Sequence, residues 1–223
     1  MYIGAIMHTD LITVTPETSL VDANELIQKN KIEHLLVVNK KGKLVGILSE
    51  VDLKQYWASP ATSLSTHELN YLLQKVQVEM IMIKTVVTVP TSTTIERAAL
   101  IMQEHQISAL PVMEDDELAG IITSTDVMQV LLQAIGISEE SIRISVFVRD
   151  SLGTLADLSA ALRDAGVNIQ SLFCKPEDKY PGITQMVLRL AKDDGRKAIS
   201  ALTAKGYAVK DRYEKDISQF LPA

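Results

Sequence analysis

The sequence predicts an α+β chain in which a β-α-β-β-α unit occurs twice and is followed by a single β-α-β-β-α-β unit. The first observation behind this is internal similarity at a fixed offset. Thr88 lies 75 residues after Thr13 and Leu110 lies 75 after Leu35, whereas Gly120 lies 74 after Gly46, so one residue is lost in an intervening turn. The second is apolar periodicity, with helical spacing in some stretches and short β-rich runs between them. The third is the pair Gly166 and Gly206, which close two helical patterns in the last third of the chain.

In the first copy, Ile6-Met7 and Leu11-Ile12-Thr13-Val14 predict a short opening strand. Leu20, Ala23, Leu26 and Ile27 share one face of a helix expected from Leu20 to Ile32. The runs Leu35–Val38 and Leu44–Leu48 read as adjacent buried strands around the polar turn Asn39-Lys40-Lys41-Gly42. The second copy repeats this with Ile81-Met82 and Val86-Val87-Thr88-Val89, a helix from Ile95 to Ile107, and strands around Leu110 and Ile121. Its acidic turn, Glu114-Asp115-Asp116-Glu117, reads as a solvated hairpin tip. Between the copies, Ser65-x-x-Glu68 predicts a capping box that opens a short helix through Tyr71-Leu72-Leu73. The expected division is a first repeat over 1–58, a helical linker over 59–78, a second repeat over 79–136, a further domain over 141–213 and a tail over 214–223.

The composition is that of a globular protein, with 47% hydrophobic and 22% charged residues among 223. A net charge of −6 supplies no positive field for a phosphate backbone, which argues against nucleic acid as a partner. No apolar run approaches the roughly 18 residues of a membrane span, and the first residues lack a basic stretch and a small-residue cleavage site, so a cytoplasmic protein is expected. The single Cys174 forbids an intramolecular disulfide and reads as a small buried apolar residue. His8, His34, His67 and His105 show no paired spacing, so no metal site is predicted. The chain has no P-loop, GxSxG, GxGxxG or HExxH pattern, and a non-catalytic role is expected.

The repeated segment with chemical content is Gly46-Ile47-Leu48-Ser49-Glu50-Val51-Asp52, which returns as Gly120-Ile121-Ile122-Thr123-Ser124-Thr125-Asp126. Ser/Thr-x-x-Asp at the passage from strand to helix is a capping box. The same helix N-terminus attracts phosphate through its N–H groups, and its carboxylate can accept hydrogen bonds from ribose hydroxyls. A duplicated β-α-β-β-α unit ending in this motif resembles a tandem pair of CBS domains. The resemblance implies two clefts, a groove at the mouth of each repeat's second helix, and a regulatory ligand such as AMP, ADP, ATP or another adenosine derivative, with no required cofactor. It also implies roles. Thr13-Val14 and Thr88-Val89 would flank the adenine, Leu35-Leu36 and Leu110-Pro111 would wall the cleft, Asp52 and Asp126 would hold ribose, and Ser49 and Thr123 would meet phosphate. Val51 and Thr125 stand where many phosphate-binding members carry arginine, a position that Lys54 or Lys84 could serve instead.

Beyond the second motif a helix runs over Val127–Ala134 to Gly136, and a new pattern begins. Ile144, Val146 and Val148 alternate as in a half-buried strand, and Leu155, Leu158, Ala161 and Leu162 mark a helix ending at Gly166. Strands follow at Val167–Phe173 and Thr184–Leu190, then a helix over Arg196–Lys205 and a last strand at Tyr207–Lys210. This order is a ferredoxin-like split βαβ unit. Asp150, Gly153 and Leu155, with Gly166, Asn168 and Ile169, resemble the signature of ACT domains, although Leu152 replaces its proline. The resemblance implies an amino-acid site or a dimer contact at Asp150, Leu152, Gly153 and Asn168, and a homodimer. The whole arrangement resembles the acetoin-utilisation family of CBS–ACT proteins. Three functions stay open: a sensor of an adenosine ligand acting on an unknown effector protein, an oligomerising scaffold with vestigial clefts, and an amino-acid sensor through the last domain.

Overall fold

The structure is a computed structural model that describes residues 1–56 and 66–222. It forms two compact units, Met1–Met128 and a second from Gln129 onward. The first unit holds both repeats as far as the start of the second repeat's last helix. The first repeat comprises β1 (Thr13–Val14), α1 (Leu20–Asn30), β2 (His34–Val38), β3 (Leu44–Ser49) and α2 (Glu50–Tyr56). After α3 (Thr66–Leu73), the second repeat comprises β4 (Val89–Pro90), α4 (Ile95–His105), β5 (Ala109–Glu114), β6 (Glu117–Thr123) and α5 (Ser124–Ile135). Each repeat builds a three-stranded sheet, β1-β2-β3 or β4-β5-β6, with the first pair parallel and the second antiparallel. The helix through Tyr71–Leu73 is present, while Ser65, its expected cap, lies outside the described residues.

Both first helices stop two residues before the sequence periodicity does. Ser19 caps α1 by accepting from Asp22 N at 3.1 Å, and Thr94 caps α4 by accepting from Arg97 N at 3.3 Å. At the other end Lys31 and Gln106 each turn left-handed at φ 54°, and Ile32 N and Ile107 N reach back to the carbonyls of Ile27 and Met102. This is the Schellman end, in which the apolar residue after the turn folds onto the helix it has just left. Ile32 and Ile107 therefore keep the helical phase without being helical.

The opening strands are shorter than expected for a different reason. Only Thr13–Val14 and Val89–Pro90 pair within their own repeat. The residues before them cross to the other repeat, where His8 bridges Ile121 and Ile83 bridges Ile47. Ile3 N likewise donates to Thr93 O, and its register partner Val78 N donates to Thr18 O. The apolar residues that suggest a strand at Ile6-Met7 and Leu11-Ile12 thus belong to a segment that serves the opposite repeat.

The lost residue lies in the hairpins. In the first, Gly42 takes φ +75° and Asn39 Oδ1 accepts from Lys41 N and Lys43 N at 2.9 and 3.1 Å. In the second, Asp115 and Asp116 both take positive φ, 48° and 64°, the signature of a two-residue type I′ turn. The acidic tip is a backbone requirement met by aspartates that tolerate this region.

The second unit contains β7 (Ser141–Arg149), α6 (Thr154–Asp164), β8 (Ile169–Pro176), β9 (Ile183–Ala191), α7 (Gly195–Ala204) and β10 (Val209–Lys210). The sheet order is β10-β7-β9-β8, antiparallel throughout, which is the split βαβ topology. Ile144, Val146 and Val148 pack with Leu158, Leu162, Leu188 and Leu202 in one core. Cys174 departs from expectation. It is exposed, because it sits near the end of the edge strand β8 among exposed neighbours. Among the described residues no helix is long and apolar enough to cross a membrane.

Ser145 points to the opposite face of β7, completely buried, and its hydroxyl finds no hydrogen-bond partner among the described residues. A buried polar group without a partner carries its desolvation cost uncompensated. Ser145→Ala is therefore expected to raise stability by about 1 kcal/mol, read as a higher denaturant midpoint at unchanged slope. An unchanged or lower midpoint would show that the hydroxyl is satisfied in solution.

Candidate functional site

Two clefts open in the first unit, and each is assembled from both repeats. The larger, about 720 Å³, is lined by Met7–Ile12, Lys31–His34 and Leu36 of the first repeat and by Ile121, Thr123, Thr125 and Asp126 of the second. The smaller, about 230 Å³, is lined by Ile83, Thr85–Val87 and Gln106–Ala109 of the second repeat and by His34, Ile47, Ser49 and Asp52 of the first. Each cleft takes its aspartate from the repeat that does not supply its opening segment. The crossing bridges explain this exchange, since they lay each opening segment against the other repeat's motif strand.

At both helix starts the capping box forms as the motif requires. Ser49 donates through N and Oγ to Asp52 Oδ2 at 2.8 and 2.6 Å, and Asp52 N donates to Ser49 Oγ at 3.1 Å. Thr123 and Asp126 repeat the set at 2.8, 2.6 and 3.3 Å. The clefts differ at the other carboxylate oxygen. Asp126 Oδ1 lies 3.0 Å from His8 Nε2, whereas Asp52 Oδ1 has no hydrogen bond to any described residue. Burial pushes the Asp126 carboxyl up, but the bonds from Thr123 and His8 outweigh it and hold the group below the usual carboxylate range.

Of the residues that the sequence nominates, Leu36, Thr123 and Asp126 line the larger cleft, and Ser49 and Asp52 line the smaller. Thr13, Val14, Leu35, Thr88, Val89, Leu110 and Pro111 line neither. Val14, Leu35, Val89, Leu110 and Pro111 are buried, Val14 and Val89 because the opening strand pairs within its own repeat, and Leu35, Leu110 and Pro111 because they lie on the middle strands β2 and β5. The cleft walls come instead from the residues just before it, Thr9–Ile12 and Thr85–Val87. Lys54 pairs with Glu50 at 2.9 Å and Lys84 with Glu79 at 3.6 Å, and neither lines a cleft. Among the described residues, Lys31 is the lysine that does, and its backbone takes the left-handed turn that ends α1.

His34 lines both clefts, and its Nε2 lies 2.9 Å from Ser108 Oγ of the other repeat. Burial holds its imidazole below the ordinary value of 6.5, against an opposite pull from Glu33 and Asp52. A histidine that folding keeps neutral supports stability fully above its unfolded value and withdraws that support as pH falls toward the folded one. Asp126, also held low, withdraws its share at lower pH, below the carboxylate range of the unfolded chain. The melting temperature is expected to decline from about pH 6.5 downward, and His34→Phe to flatten the part immediately below about pH 6.5. A variant with the unaltered wild-type slope would show that another group titrates there.

In the second unit a surface cleft of about 570 Å³ lies at the Gly153 turn, lined by Asp150, Ser151, Leu152, Gly153 and Thr154 with Cys174 and Thr184 opposite. Gly153 takes φ +88°, and Leu152 is fully exposed. Asn168 is exposed and does not line this cleft.

The family model for the CBS domain matches residues 3–59 and 78–133. The chain belongs to the CBS-domain family, and carries the domain as a tandem pair. It is similar to inosine-5'-monophosphate dehydrogenase of Staphylococcus haemolyticus, 28% identical over 211 residues that cover 86% of this chain and 40% of that protein. The chain spans between 30% and 40% of the length of such curated relatives. Among solved structures, the CBS-domain protein ATU1752 from Agrobacterium tumefaciens is 25% identical, with a TM-score of 0.51 over 59% of this chain and 99% of that one. The protein CBSX2, solved in complex with AMP, is 32% identical, with a TM-score of 0.48 over 59% of this chain and 96% of that one.

Proposed function

We propose that this protein is a non-catalytic regulator that senses an adenosine-containing ligand, of the AMP, ADP or ATP type, in its CBS clefts. The observation that carries this reading is the placement of a capped helix N-terminus with an accepting aspartate at the wall of each cleft. A nucleoside offers the complement: an apolar ring for Leu11, Ile12 and Leu36, and ribose hydroxyls for the carboxylate. The larger cleft falls within the roughly 300–1,000 Å³ typical of small-molecule sites, which makes it the principal site. Among the described residues, Lys31 is the only lysine or arginine on either wall, so a single phosphate suits this chain better than a triphosphate. Binding regulates by shifting the population of two arrangements of the repeats or of two subunits of a homodimer, toward an effector protein. A part in acetoin or related carbon metabolism rests on domain order alone.

A second site is favoured by the cleft at Gly153, where an ACT-type amino-acid site or a dimer contact would place Leu152 against its partner. Melting the full chain with adenosine, AMP, ATP, S-adenosylmethionine and a set of amino acids tests both. An adenosine compound is expected to raise the midpoint in a concentration-dependent way. No shift with any adenosine compound at millimolar concentration would leave the scaffold reading in its place.

A further inference from the structure

The two repeats are related residue for residue, yet at the contact between the clefts the relation breaks. The register partner of His34 is Ala109, and that of Ser108 is Glu33. A symmetric pair would carry two imidazoles or none, and this one carries a single ring. His34 is also the one residue common to the described walls of both clefts. Its Nε2 is held by Ser108 across the repeats at 2.9 Å, while its Nδ1 is buried with no hydrogen-bond partner among the described residues.

We propose that His34 couples the two clefts, so that a ligand in one weakens binding in the other. The proposal rests on reading both clefts as nucleoside sites. An unpartnered buried nitrogen gains by meeting a polar atom of a ligand, and a rotation of the ring can bring it toward one cleft at a time, at the expense of the bond to Ser108. The first occupant recruits the ring. The second finds it committed and loses the corresponding contact. Such coupling is reciprocal, whichever cleft fills first. One net hydrogen bond corresponds to a factor of roughly two to ten in affinity.

Isothermal titration of the full chain with adenosine, and in parallel with AMP, tests this. Asp126→Ala weakens the larger cleft and Asp52→Ala the smaller, each on its own. Disabling the cleft that fills first is expected to tighten the remaining one roughly two- to tenfold relative to the second step of the wild type. In a His34→Phe background, which keeps a ring on the wall and removes both nitrogens, that tightening is expected to vanish. His34→Ala, carrying the residue that Ala109 already provides in the other repeat, serves if the phenylalanine variant does not fold. Equal affinity of the remaining cleft with and without its neighbour overturns the coupling while leaving the nucleoside reading intact. Filling of one cleft alone overturns it too. Absence of heat with either probe overturns the nucleoside reading, and the coupling with it.

Discussion

Asp126→Ala is expected to weaken adenosine or AMP binding in the larger cleft tenfold to a hundredfold, because a hydrogen bond to a charged group contributes about 1.5–3 kcal/mol. The same change removes part of a helix cap. Thr123 donates to Asp126 Oδ2 through both N and Oγ, and losing that acceptor should cost about 1 kcal/mol of stability. The two effects separate in Asp126→Asn, which keeps an acceptor for Thr123 and removes the charge. Its melting temperature should stay close to wild type while binding remains weak. Asp52→Ala is the control for the smaller cleft, where the second carboxylate oxygen is open rather than held by His8. A ligand in the larger cleft must displace His8 from Asp126 to use both oxygens, so its affinity reflects a competition that the smaller cleft lacks. Undiminished adenosine binding by the Asp126→Ala, Asp52→Ala double variant would remove the aspartates from the site and the proposed function with them.

The repeat and the last domain were legible because both rest on patterns that a linear sequence carries. An offset held over Thr13 to Thr88 and Leu35 to Leu110 records two copies of one packing problem, and Leu20, Ala23 and Ile27 are buried where helical spacing puts them. The errors have a common cause, which is that local periodicity cannot say what an apolar residue packs against. Ile32 and Ile107 continue the helical phase because a Schellman end returns them to the helix. Leu11 and Ile12 are apolar because one repeat lends them to a cleft wall shared with the other.

Half of the site was legible for the same reason. Ser49, Asp52, Thr123 and Asp126 form a local motif, so their bonds within each helix start follow from spacing alone. His8, Lys31, His34 and Ser108 were not legible as site residues, because they come together only through the exchange of opening segments between repeats. One signal of that exchange was present. Gly46 and Gly120 interrupt strands at equivalent places, and a glycine inside a strand marks a close approach by another backbone.

That approach makes Gly120→Ala the most damaging small substitution expected in the first unit. A Cβ at Gly120 would lie 2.5 Å from Met7 Sδ and 3.0 Å from His8 O. The thioether can swing aside, but the carbonyl cannot, since the His8 backbone is fixed to Ile121 by bonds of 2.9 and 3.0 Å. At Gly46 the equivalent Cβ meets Met82 Sδ at 2.6 Å and Ile83 O at 3.2 Å, a slightly roomier fit. Overpacking of this kind costs about 1–3 kcal/mol, and Gly120→Ala should fall above Gly46→Ala within that range by chemical denaturation. Shortening the methionine separates the two contributions. Met7→Ala added to Gly120→Ala should recover the side-chain part and leave the carbonyl part. Binding gives the second readout: pushing His8 outward displaces the Met7–Ile12 wall, so Gly120→Ala should weaken a ligand of the larger cleft, whereas Gly46→Ala should act on the smaller. Equal and negligible losses in the two alanine variants would mean that the crossing segments are not held against the motif strands, and the clefts built from them would lose their walls.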